Sequence, residues 1–151
     1  MVPQPFPSGI EAQGYGRVLF WAGDLHPWQT AAIFYGKRFA ASRARAIAFM
    51  KGYVKAARFY HDAVLVQKDG RTVPGPGHDD VVAITAKYTG ARPEIVRLGF
   101  SFQDRSGRLL VPDIDRQMKW WAGHGFIKRP LALKEVVDTS FIEAAIKELG
   151  G

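Results

Sequence analysis

At 151 residues, 47% of them hydrophobic and 23% charged, the chain is long enough for one compact unit with a core and short for two. No stretch approaches the ~18 consecutive apolar residues of a membrane span, and the lack of cysteine excludes disulfides, thiol catalysis and cysteine-ligated zinc. A net charge of +7 admits nucleic acid, an anionic membrane surface or acidic ligands as partners.

Residues 1–16 hold three prolines and three glycines and read as extended chain and turns. They lack the basic and apolar regions of a secretory leader, so the chain as written is expected in the cytosol unless its natural start has been removed. The apolar run RVLFWA (17–22) reads as a short strand, and residues 30–35 as a second, with the loop GDLHPWQ between them carrying His26, Trp28 and Gln29. Residues 37–64 predict one long helix or two nearly in line. Phe39, Ala46, Met50, Tyr53, Ala57 and Val64 gather on one side of it, and Lys37, Lys51, Lys55 and Arg58 on the other.

KDGRTVPGPG (68–77) reads as a loop, after which Asp79 or Asp80 can cap a helix bearing Val81, Val82, Ile84 and Tyr88 and closed by Gly90. Residues 93–98 allow about two helical turns. Residues 100–111 are polar and aromatic, with a turn at 104–107. Pro112-Asp113 opens a further helix in which Ile114, Met118 and Trp121 fall at i, i+4 and i+7, so Trp121 is expected in the core and Trp120 at the edge of that stripe. The last helix carries Ser140-x-x-Glu143, a capping-box pattern, with Phe141, Ala145 and Leu149 inward and Gly150 as its stop.

Catalytic signatures are sparse. His78-Asp79-Asp80 could hold a divalent cation, yet a helix start explains both aspartates, and there is no HExxH. The serines lack a GxSxG setting, His124 has no identifiable partner, and neither GxGxxG nor GxxxxGK[ST] occurs, so no cofactor is expected. The basic helix face and the aromatics are the whole case for nucleic acid, and a solvated surface is the favoured explanation of that face, so nucleic acid is not the favoured partner.

The order of the pieces carries a resemblance: a PQPF segment and GYGRVL, the helix FAASRARAIAFMKGYVKAARF, then DIDRQMKWWAGHGFIKRPLALKEVVDTSFIEAAIKELG. This resembles the C-terminal half of the solute-binding proteins of ABC importers, in the nitrate, sulfonate and taurine group with its thiamine-pyrimidine-related members. Gln4 stands where that family often has an acidic residue, and Arg43-Ala44-Arg45 lacks its usual proline. The family is about twice as long as this chain.

The resemblance implies an α/β, type II periplasmic-binding fold, of which this segment is the predominantly helical later part with two to four short strands. Residues 1–35 would form the lobe crossing and hinge, and 36–151 the helical part of the larger lobe. It further implies a small anion, sulfonate or heteroaromatic ligand bound without chemistry, a permease partner and a periplasmic location. Gln4, Pro5 and Phe6, together with Trp28, Gln29 and Thr30, become the cleft or hinge candidates. Two alternatives stand beside it: a pyrimidine-precursor enzyme of the same fold, with His26 as the reacting histidine, and a small basic nucleic-acid-binding or interaction protein. A missing lobe would leave apolar surface and hence self-association.

Overall fold

The computed structural model describes residues 2–129 and 131–151, so Pro130 of the KWWAGHGFIKRP phrase lies outside them. The described chain is predominantly helical with one small sheet. In order it contains α1 (Phe6–Ala12), α2 (Ala22–Leu25), α3 (Lys37–Ala41), α4 (Arg43–Val64), β1 (Val66–Lys68), β2 (Arg71–Val73), α5 (His78–Thr89), α6 (Pro93–Val96), α7 (Val111–Gly123), α8 (Leu133–Val136) and α9 (Ser140–Glu148). Two compact units result: Lys55–Gly107 with the chain up to Trp21, and Ala22–Val54 with Arg108–Gly151. The helix α4 begins in the second and ends in the first.

The first unit is built on the C-terminal part of α4. Ala63 and Val64 form a core with Val81 of α5, flanked by Tyr60, Leu65 and Phe100. The Tyr60 hydroxyl donates to the Ser101 carbonyl at 2.7 Å, and burial pushes its pKa up to about 12. After α4 the chain folds into an antiparallel hairpin pairing Val66 with Val73 and Lys68 with Arg71. Its two-residue turn is Asp69-Gly70, both at positive φ (51° and 74°), the backbone that a tight hairpin needs and that Asp-Gly adopts most readily.

The strands are therefore not those expected at 17–22 and 30–35; residues 17–21 and 30–35 are irregular, Ala22 begins α2, and Leu19, Phe20, Ile33 and Phe34 of those runs are exposed. An apolar run becomes a strand only where a neighbour completes its hydrogen bonds, and the Asp-Gly turn provides that neighbour at 66–73 instead. Two short strands in a helical chain do match the expected proportion.

Beyond the hairpin, Gly75 donates its N–H to the Ala63 carbonyl at 2.8 Å and passes so close to the end of α4 that a Cβ would collide with the Asp62 carbonyl oxygen. Gly77, at φ 78°, occupies the N-cap of α5, so Asp79 and Asp80 lie within the first turn and neither caps the helix. They still complement the helix dipole there. The predicted stop holds: Gly90 is left-handed and returns its N–H to Ala86. Val81 and Val82 are buried, whereas Ile84 and Tyr88 are exposed, which narrows the expected inner face.

In the second unit the apolar stripe of α4 meets α9. Met50, Val54, Ile142, Ala145 and Ile146 make the core, with Tyr35, Ile47, Tyr53, Phe141 and Leu149 packed around it. The Tyr35 hydroxyl donates to the Ala46 carbonyl at 2.8 Å, and its ring meets Phe39, Phe49 and Phe141 edge-on. Arg43 lies over the Phe141 ring and donates to Ser140, while Lys51 pairs with Glu148 at 2.9 Å.

The expected capping box does not form. Ser140 is already the first helical residue, its N–H donates to the Asp138 carboxylate at 2.8 Å, and Arg108 draws both oxygens of Glu143 away at 3.0 and 3.1 Å. A two-point guanidinium–carboxylate pair outcompetes the single bond back to the chain.

Candidate functional site

The most densely bonded polar cluster of the second unit surrounds Asp113, which is 3% exposed. Val111 and Pro112 open α7, and Asp113 turns inward from its first turn. One carboxylate oxygen accepts the Gln29 N–H at 2.6 Å and the Gln117 amide at 2.7 Å; the other pairs with Arg116 and lies 3.7 Å from His26 Nε2. Burial works to raise the Asp113 pKa, but the Gln29 and Gln117 donors with the charges of Arg116 and His26 together hold it below the usual carboxylate range. With its oxygens so engaged it is an anchor for the 26–31 loop, and poorly placed as a general base.

Gln29, a cleft candidate from the sequence, is the other half of this clasp. Its side-chain oxygen accepts the Leu110 N–H at 2.7 Å, its amide donates to Ala31 at 2.6 Å, and its carbonyl accepts from Gln117 at 2.9 Å. Trp28 and Thr30 on either side of it are exposed. The other candidates belong to the first unit. Gln4 and Pro5 are half-buried ahead of α1, and Phe6 is exposed. The Gln4 side chain accepts from the Ser8 hydroxyl at 3.0 Å and lies over Gly99, so that a Cβ there would push its amide aside.

A second polar locus in the first unit is a concavity of ≈ 550 Å³ lined by Gly75, Gly77, His78, Asp79, Asp80 and Arg97. Arg97 donates to Asp79 at 2.7 Å and, with His78, holds the Asp79 carboxyl below its ordinary pKa. Among the described residues no group of three or more His, Asp or Glu is placed to hold a metal ion. The His78-Asp79 pair thus acts in the ion-pairing of α5 with Arg97.

The tryptophans differ from expectation. Trp121 is 43% exposed and Trp120 52% exposed, so neither enters the core. Trp120 stacks on His124 (centroids 4.1 Å apart, 25° between planes) and lies nearly parallel to Phe126 at 6.2 Å, while Trp121 meets Phe126 edge-on at 5.0 Å. The cause is the end of α7. Phe126 returns its N–H to Trp121 and Gly125 to Ala122, with Gly125 at φ 75°. This paired closure brings the residue after the left-handed glycine against the last helical turn. The signal was in the sequence, as an apolar residue directly after a glycine stop.

No family model, curated protein or solved structure matches the chain. Among the described residues no helix is long and apolar enough to cross a membrane.

Proposed function

We propose that the chain is the later portion of a solute-binding component of an ABC importer, which takes a small anion, sulfonate or heteroaromatic compound without chemistry and hands it to a permease. One observation carries the reading. The two stretches in which the family resemblance is strongest, the helix containing AFMKGYVKA and the closing VVDTSFIEAAIKELG, fold against each other, with Met50 and Val54 on Ile142, Ala145 and Ile146. Sequence phrases that resemble one family and also share a core support descent from that family's scaffold.

Exposed Leu19, Phe20, Phe34 and Phe102 suit the same reading, because a partner lobe would supply cover for apolar side chains. Binding in such a protein uses shape and a few donors at a cleft, and closure reports occupancy.

The test joins two measurements. The DNA upstream of Met1, read in frame, is expected to stay open through a further lobe, and the product is expected to gain thermal stability with one of nitrate, taurine, an alkanesulfonate or an aminopyrimidine. A stop codon directly upstream, together with no Tm change for the 151-residue chain against the same panel, overturns the proposal.

A further inference from the structure

The end of α7 presents an aromatic knuckle that neither the core nor the solute-binding reading uses. We propose that Trp120, Trp121 and Phe126, with the cations beside them, form a docking surface for an anionic lipid bilayer. The rings are pre-arranged by the chain itself: His124 Nδ1 bonds the Trp120 carbonyl at 2.8 Å and stacks on the indole, and the Gly125 closure sets Phe126 against Trp121. Yet the three large side chains remain 52%, 43% and 66% exposed. A fixed cluster of this size gains nothing from water and needs little ordering to enter an apolar medium.

Geometry and charge select the occupant. His124 covers one face of Trp120, and Trp121 and Phe126 stand edge-on to each other, which disfavours a flat sugar or base stacking there. A cluster of exposed aromatics at mixed angles suits the headgroup and acyl boundary, where interfacial aromatics settle. Residues 116–129 contain Arg116, Lys119, Lys128 and Arg129 and no acidic residue. Arg116 is held by the buried Asp113, Lys119 and Arg129 are paired with Asp115 and Glu135 but stay well exposed, and Lys128, next to Arg129 in sequence, is exposed. Although three of these cations are paired, the four outnumber their carboxylates and the whole chain carries +7, which an anionic bilayer complements and a second copy of the chain does not.

The experiment is co-flotation of the 151-residue chain with vesicles of phosphatidylcholine alone or mixed with phosphatidylglycerol, with tryptophan emission read alongside. Association with the anionic vesicles, a blue shift, and weakening by salt are expected. Lys128→Gln lowers partitioning about fivefold, the worth of one interfacial charge, and Phe126→Ser lowers it about tenfold or more. Both side chains are exposed, and far-ultraviolet circular dichroism verifies folding; if Phe126→Ser unfolds, Lys128→Gln decides alone.

Absence of association, equal binding to neutral vesicles, or unchanged binding by folded variants overturns the proposal. Tryptophan quenching by a polyglutamate peptide without vesicle binding overturns it in favour of an acidic protein partner. These readouts are separate from ligand-dependent Tm shifts, so this surface and the solute-binding reading fail independently.

Discussion

Asp113 ties two distant parts of the second unit together, since it fixes the Gln29 backbone and two side chains of its own helix. Asp113→Asn keeps the shape but weakens charge-assisted hydrogen bonds, and a loss of about 2 kcal/mol is expected in urea melts. The pH dependence follows from the direction of its pKa. A carboxylate held lower in the folded than in the unfolded chain gives stability that is complete above the unfolded value of about 4 and is lost as pH falls through the folded one.

Asp62 beside Arg105 and Asp138 beside Ser140 are shifted the same way, so the acid limb has several contributors. Stability measured from neutral to acid pH is expected to stay level down to about pH 5 and then decline. Asp113→Asn should make that decline shallower. None of this was legible from Pro112-Asp113 alone, because an acid in the first turn of a helix satisfies the dipole without being buried. Its burial depends on Gln29, 84 residues earlier. The Trp121 expectation failed similarly: the i, i+7 spacing with Ile114 was real, but the stripe outlasts its packing. Trp121→Ala is now expected to cost under about 1 kcal/mol, as surface changes do.

At the scale of elements, the long helix was readable because its apolar period runs through Ala46, Met50, Ala57 and Val64, all buried, although Val54, outside the expected set, is buried more deeply than Tyr53 within it. The break at Ser42, between α3 and α4, divides it within the alternatives the period allowed. Strands were less readable, since their partners are not encoded in their own pattern; only the Asp69-Gly70 dipeptide advertised one.

Two substitutions test the α4 and α9 packing. Ile146→Ala removes a buried side chain facing Met50 and Val54 and is expected to cost about 2–5 kcal/mol by chemical denaturation. Gly52→Ala acts oppositely: a Cβ there meets nothing within 4 Å in the middle of α4, and a gain of about 0.5–1 kcal/mol is expected in the same assay.

For the whole molecule, each unit has a small buried core, and large apolar side chains remain at the surface of both, among them Leu19 and Phe102 in one and Phe34 and Phe49 in the other. Sedimentation over a wide concentration range is expected to show self-association, and a monomer throughout would oppose it. Composition and periodicity reached the helical character; they could not reach the grouping into units, because Val54 and Val64 lie on the same uninterrupted helix yet belong to different cores.

That division of one helix has a consequence during synthesis on the ribosome. Every segment of the first unit has been made once Gly107 is added, whereas the second waits for the closing helix. At the usual ~5–20 residues per second, roughly 5–20 s separate the making of Val54 from that of Ile146. For the last ~2–8 s of that interval, after Gly107, Met50 and Val54 belong to a helix whose far end can already be packed, while their own side of it stays uncovered. The nascent chain therefore offers an apolar stripe to holding chaperones until the nine-residue α9 is made and withdraws it.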